Sequence, residues 1–235
     1  MFSKSAQIYD AVYSAKDYAG EAQRLKTFIA EHKRSGGNTL LDIACGTGGH
    51  VLYLRDEFAY EGVDLDPQML AIARERNPGI TFHQGDMTDF DLGRQFEVVT
   101  CLFSSIGYAG TVEKLGMAIA TMVRHLLPGG VLLIGPFFPP EAWHVGQPHA
   151  IFVDQPNLKI ARMNVSGRRD NTALLDFHYL VATPEGIEHF TEHHELGLFT
   201  DAEYQRAFTS AGLDVIHDAE GLIGRGLYIG THPLA

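Results

Sequence analysis

Apolar and polar positions along the chain change texture three times. Residues 1–32 mix the two at helical spacing, with Tyr9, Val12, Tyr13, Tyr18, Leu25 and Phe28 as candidate buried positions, so this stretch is predicted to form a helical cap. Ser35-Gly36-Gly37-Asn38 breaks the pattern. Apolar runs of strand length then alternate with helical stretches: strands are predicted over 39–44, 60–65, 80–84, 97–103 and 131–136, and helices over 49–58, 68–76 and 112–127. Asp66-Pro67 supplies an N-cap and a first-turn proline for the second of these helices, and Pro128-Gly129-Gly130 reads as the turn after the third. This alternation calls for a mostly parallel sheet covered by helices on both faces. The run 39–44 fits a strand buried on both sides, interrupted only by Asp42.

After Pro136 the texture becomes strand and turn. Residues 152–153, 159–166, 174–183 and 187–199 read as strands, with Arg169-Asp170-Asn171 as one connecting turn, which predicts a small inserted antiparallel sheet. Thr200 followed by Glu203 is a capping-box signature for a helix running to 211, and strands over 213–217 and 226–230 complete a seven-stranded core. The expected fold class is α/β, as one domain: a helical cap (1–34), a cofactor-binding core (35–136), an inserted substrate-binding sheet (137–199), and a closing helix and strands (200–235).

Composition narrows the partners. A chain of 235 residues, 45% hydrophobic and 20% charged, suits one well-buried core. Its formal net charge of −11, without a basic cluster, argues against nucleic acid and for a small-molecule substrate. Cys45 and Cys101, with no apolar leader, point to a reducing cytoplasm and to small buried side chains, and no apolar run is long enough to span a bilayer. His189 and His193 fall in a strand-like run that lacks metalloprotease spacing, so no metal site is expected.

The richest chemistry lies in "DIACGTGGH", residues 42–50, where a strand, a glycine turn and a helix start follow one another. Glycine there admits a sharp turn and bare backbone next to a ligand at the carboxyl end of a strand. Asp64 ends the next strand about twenty residues on, where a carboxylate accepts ribose hydroxyl hydrogens. Asp86 follows the third strand, placed to accept from an adenine amino group while Met87 packs on the ring. A nicotinamide dinucleotide is the rival. The loop lacks the full G-x-G-x-x-G spacing, and Asp42 would sit near a pyrophosphate but would attract an ammonium. The pattern therefore favours an adenosine cofactor with a cationic end.

With "DIACGTG", "GVDLD" and "GDM" in these places, the chain resembles the class I S-adenosylmethionine-dependent methyltransferases, of Rossmann-like fold. It is similar almost end to end to the bacterial nucleotide-sugar N,N-dimethyltransferases of the desosamine and mycaminose type. "IYDAVYSAKDY", "GDMTDFDLGRQFEVVTCLFSSIGY", "LFTDAEYQRAFTSAGL" and "GRGLY" carry that likeness. The resemblance implies S-adenosyl-L-methionine as cofactor. Tyr9 and Tyr18 would stand at its carboxylate end, and Ala44, Gly46 and Gly48 would give backbone contacts. It further implies Asp64 on the ribose, Leu65 and Met69 near the adenosine, Asp86 and Met87 at adenine, and Leu102, Phe103 and Ser104 beside the sulfonium. Substrate contacts would come from Ser105, Tyr108, Phe137, His178, Tyr179 and Arg225, with a homodimer as the assembly. At Tyr108 the chain departs from the family, which carries histidine there.

Methyl transfer is an in-line displacement that chiefly requires alignment in a dry pocket. For an amine acceptor, Tyr108 and His178 would orient the nucleophile; for a hydroxyl, His178 would be the candidate base. Arg225, between glycines, is the candidate diphosphate ligand. N-methylation of a nucleotide-linked amino sugar is the first reading. A methyltransferase for another small metabolite and a non-catalytic cofactor-binding module are the alternatives.

Overall fold

The computed structural model describes residues 4–234, so the first three residues of the predicted cap lie outside the described residues. The strands β1 (Thr39–Ile43), β2 (Ala59–Asp64), β3 (Thr81–Gln84), β4 (Phe96–Cys101) and β5 (Leu126–Ile134) pair in parallel. A second sheet follows, made of β6 (Pro148–Gln155), β7 (Leu158–Arg169), β8 (Thr172–Thr183) and β9 (Gly186–Gly197), antiparallel throughout. The chain then adds β10 (Asp214–Asp218) and β11 (Leu227–Thr231) to the first sheet, giving seven strands in the order β10-β11-β5-β4-β1-β2-β3, with β11 antiparallel to both neighbours. This is the Rossmann-like α/β fold expected from the alternation.

Helices α1 (Tyr9–Val12), α2 (Tyr18–His32), α3 (Val51–Leu54), α4 (Pro67–Arg76), α5 (Val112–Arg124) and α6 (Asp201–Ser210) cover the seven strands and the cap. Because successive strand residues point to opposite faces, the continuous apolar runs serve two cores at once. Leu40, Val98, Val131 and Leu133 pack with Leu25, Ile29, Leu54 and Leu70, from α2, α3 and α4. Leu41, Val99, Leu132 and Ile134 face the other way, onto Leu115, Ile119, Met122 and Phe208 of α5 and α6. The inner face of the second sheet closes on the cap instead, through Val12, Val153, Ile160, Tyr179 and Val181.

Three local predictions need correction. The helix expected over 49–58 is only one turn as α3, although Arg55 N–H still donates to Val51 O and Phe58 N–H to Leu54 O, each at 2.9 Å. Pro128-Gly129-Gly130 is not a turn before β5 but lies within it: the β4–β5 register shifts between Phe96 and Val98, and the irregularity tolerates a proline and a Gly129 φ of 76°. Finally, β4 ends at Cys101, so Leu102, Phe103 and Ser104 leave the sheet.

Asp66 caps α4 by accepting from Gln68 and Met69 N–H, and Thr200 with Glu203 forms a full capping box at α6. Thr200→Ala is expected to cost about 1 kcal/mol, seen as a fall in Tm of about 2–4 °C for a domain of this size; an unchanged melting curve would remove the cap from the account.

Candidate active site

A cavity of about 570 Å³ opens at the carboxyl ends of β1, β2, β3 and β4 and runs under the inner face of the second sheet. At β1 the chain leaves the strand through left-handed backbone, with φ of 56° at Ala44, 56° at Gly46 and 71° at Gly48. A side chain on Gly46 would meet no atom within 4 Å, so the loop offers bare backbone to the cavity. Gly48 differs: a Cβ there would lie 2.8 Å from Asn77 Nδ2 and 3.3 Å from Phe82, which makes it a packing glycine. Tyr18 presses on Gly49 from behind, and its ring meets His50 edge-on at 4.9 Å. Glu21 binds both His50, at 3.0 Å, and Lys16, which ties α2 to the end of the glycine loop.

Asp64 faces the cavity with its carboxylate already oriented. Oδ2 accepts Gly46 N–H at 2.8 Å and Oδ1 accepts Asp66 N–H at 2.9 Å. Burial pushes its carboxyl above the usual range, against the pull of those two bonds. Leu65, Met69, Met87 and Asp86 line the same half of the cavity, and Asp86 Oδ1 is held by Thr88 N–H and Oγ at 2.9 and 2.7 Å.

The other half is built on Phe103 and Ser104, both left-handed at φ 53° and 64°. Ser104 Oγ donates to Pro136 O at 2.8 Å and accepts from Arg225 Nη1 at 3.1 Å, while the Arg225 guanidinium lies 4.7 Å from the centre of the Phe138 ring. Phe137, Phe138 and Trp143 form an aromatic wall, with Trp143 fixed by its Nε1–H to Gly167 O at 2.8 Å. From the second sheet, Arg162, Asn164, Leu175, Phe177 and Leu196 point inward. Arg162 donates to the Tyr13 hydroxyl at 2.8 Å and stacks 4.5 Å over Phe177. Tyr108 joins this half, its hydroxyl 2.8 Å from His194 Nδ1.

Of the residues predicted from sequence, Tyr9, Ala44, Gly46, Asp64, Leu65, Met69, Asp86, Met87, Phe103, Ser104, Ser105, Tyr108, Phe137 and Arg225 line the cavity together. Six do not. Asp42 is buried in the sheet, where it accepts from Tyr60 at 2.5 Å and Thr100 at 2.7 Å, so both its oxygens bind neighbouring strands. Tyr18 and Gly48 pack behind the loop, and Leu102 is buried in the helical core beneath β4. His178 lies on the outer face of β8, stacked on His189, because inward positions on that strand are 173, 175, 177, 179 and 181. Tyr179 does point inward but packs on Phe190 and the cap, outside the cavity wall. Tyr13, Trp143, Arg162, Asn164 and His194 were not predicted, and a strict period-two reading of 158–169 and 186–197 was the one signal available for the last three.

A profile described as a methyltransferase domain matches residues 40–130. Over 96% of its length the chain is 43% identical to the dTDP-3-amino-3,6-dideoxy-alpha-D-glucopyranose N,N-dimethyltransferase of Streptomyces fradiae, covering 89% of that protein. The chain belongs to the S-adenosylmethionine-dependent sugar N-methyltransferases. Among solved structures this methyltransferase is similar to DesVI of Streptomyces venezuelae, at a TM-score of 0.91 and 42% identity over 97% of this chain and 98% of that one. It is also similar to the S-adenosylmethionine-bound amino pentose methyltransferase CalS10 of Micromonospora echinaspora, at 0.86 and 37% over 96% of each chain.

The cavity of the methyltransferase fits that cofactor. Two carboxylates, Asp64 and Asp86, face its loop half, and as pure acceptors they suit the hydroxyl and amino donors of an adenosine beside a positive sulfonium. Asp64→Ala should raise the Kd for S-adenosylmethionine about 10- to 100-fold in a calorimetric titration; an unchanged Kd would take Asp64 out of the binding site.

Proposed function

We propose that this methyltransferase transfers methyl groups to the amine of a nucleotide-linked amino sugar, in two successive rounds, as the names of its N,N-dimethyltransferase relatives describe for them. One observation carries the reading. Arg225 and Arg162 both face the cavity, and they donate there to hydroxyls, of Ser104 and Tyr13. In a chain of formal net charge −11, two such guanidiniums in one cavity suit an anionic substrate group, and a diphosphate matches the bidentate geometry of arginine.

The chemistry that the bound cofactor supplies is a methyl group on a sulfonium, a good leaving group. The protein's part is placement. Tyr9, Ala44, Gly46, Asp64, Leu65, Met69, Asp86 and Met87 hold the cofactor side, with Asp64 taking the ribose hydroxyls. Arg225 and Arg162 hold the diphosphate, so binding energy from the nucleotide fixes the sugar amine for in-line attack. Phe103, Phe137, Phe138 and Leu196 keep the reacting centre dry. A sugar amine with a pKa of about 8 is partly neutral at physiological pH, so no strong base is required.

A homodimer is the assembly we propose. It is supported by the outer face of the second sheet, which exposes Phe152, Met163, Val165, Leu180 and Ile187. No helix among the described residues is long and apolar enough to cross a membrane, and we propose a cytoplasmic location.

With S-adenosylmethionine and a dTDP-linked amino sugar, mass spectrometry should show a product carrying two added methyl groups. Arg225→Ala should raise the KM for that substrate about 10- to 100-fold while cofactor affinity stays as it is. Turnover of free amines in preference to nucleotide-linked ones, or a KM untouched by the substitution, would overturn the substrate class.

A further inference from the structure

Tyr13, the residue that follows α1, carries the cap into the half of the cavity built around Arg162 and Arg225. Its ring packs edge-on against Phe103 at 5.3 Å and lies tilted 4.7 Å from the ring of Tyr9. Its hydroxyl oxygen accepts Arg162 Nη1–H at 2.8 Å, and the Arg162 guanidinium, itself buried, stands 4.5 Å over the Phe177 ring. Phe103 leads directly into Ser104, whose hydroxyl accepts from Arg225 at 3.1 Å. Burial works to lower both guanidiniums, and Tyr13 opposes it on each of them, with Tyr179 helping at Arg162 and Glu21 at Arg225. One hydroxyl of the cap thus stands close to both arginines, although these come from β7 and from the segment before β11.

The direction of the Arg162 bond is fixed by chemistry. A guanidinium has hydrogens to give and no lone pair to offer, so the Tyr13 oxygen is the acceptor and keeps its own hydrogen. Among the described residues that hydrogen has no acceptor, and Tyr13 lines the cavity. A phenol O–H polarised by a bond from a cation, with a second guanidinium nearby, suits an oxyanion. A phosphate offers oxygens in several directions and can take two cations and a hydroxyl together. We propose that Tyr13 is a substrate-binding residue that donates its hydroxyl hydrogen to a diphosphate oxygen of the nucleotide-linked sugar, as the neutral third donor beside Arg162 and Arg225. The inference rests on the nucleotide-sugar reading and adds to it a donor supplied by the cap. Asp10, three residues earlier, accepts from Thr47, so the short segment that clips the glycine loop also brings this hydroxyl to the anion.

Calorimetric titration of dTDP, which carries the diphosphate without the sugar, into the S-adenosylmethionine-bound enzyme tests it. Tyr13→Phe keeps the ring that packs on Phe103 and Tyr9 and removes only the hydroxyl. It should raise the Kd for dTDP about 10-fold and leave the Kd for S-adenosylmethionine as it is. In turnover it should raise KM for the dTDP-linked amino sugar by a similar factor, with kcat little changed. 3-Fluorotyrosine placed at position 13, the same ring with a more acidic hydroxyl, should restore dTDP affinity to at least that of the unaltered enzyme. Affinity as low as that of Tyr13→Phe would overturn the proposal. An equal loss of S-adenosylmethionine affinity in Tyr13→Phe would make Tyr13 a packing residue and would also overturn it. So would an unchanged Kd for dTDP accompanied by a raised KM, which would move the hydroxyl onto the sugar. Failure of the unaltered enzyme to bind dTDP would overturn the nucleotide reading and this inference with it, whereas unchanged dTDP affinity in Tyr13→Phe overturns the inference alone.

Discussion

The junction at Phe103 and Ser104 is the constraint on which the site depends. Two consecutive residues other than glycine stand in left-handed backbone there, at a cost of order 1–3 kcal/mol each, which persists only where surrounding contacts fix them. Those contacts come from widely separated parts of the chain. Tyr13 packs edge-on against Phe103 at 5.3 Å, and Lys16 sits 4.5 Å over the same ring, both from the N-terminal cap. Pro136, at the exit of β5, and Arg225, before β11, share the Ser104 hydroxyl. The same turn that ends the central strand therefore sets the relative positions of cap, core and closing segment around one cavity.

The cap reaches both halves of the site. Asp10 accepts from Thr47 in the glycine loop at 2.8 Å and from Arg76 at the end of α4 at 2.8 Å. A few residues earlier, Ser5 binds Glu192 of the second sheet. A segment of fewer than fifteen residues thus clips the glycine loop to the second sheet. A reaction that needs alignment and exclusion of water, with little proton chemistry, is well served by such a clip.

Charge is divided along the cavity. The carboxylates of Asp64 and Asp86 face the loop half, and the guanidiniums of Arg162 and Arg225 face the other. Asp42, the acid that interrupts β1, takes no direct part in this. It is buried between β2 and β4, and hydrogen bonds from Tyr60 and Thr100 satisfy it; removing either donor would leave an expensive buried acceptor. Its conspicuous place in the sequence reflects the joining of three strands.

The sequence by itself determined the fold class, the two-sided core and the residues that line the loop half of the cavity, and it did so for local reasons. Strand, glycine turn and helix follow one another within a few residues, so Gly46, Asp64, Asp86 and Met87 owe their positions to short-range geometry at the carboxyl ends of adjacent parallel strands. The inserted sheet was legible as an insert, but which of its residues face the cavity was not. A side-chain period of two means that one step in register exchanges the faces, which put His178 on the outside and His194 within. Arg225 was legible because a lone arginine among glycines in an acidic chain stands out, whereas Arg162 and Asn164 lie in an ordinary alternating strand. The left-handed turn at Phe103 and Ser104 and the bonds of Asp10 and Ser5 to distant segments were decided only by the tertiary structure, because each depends on partners brought together from far along the chain.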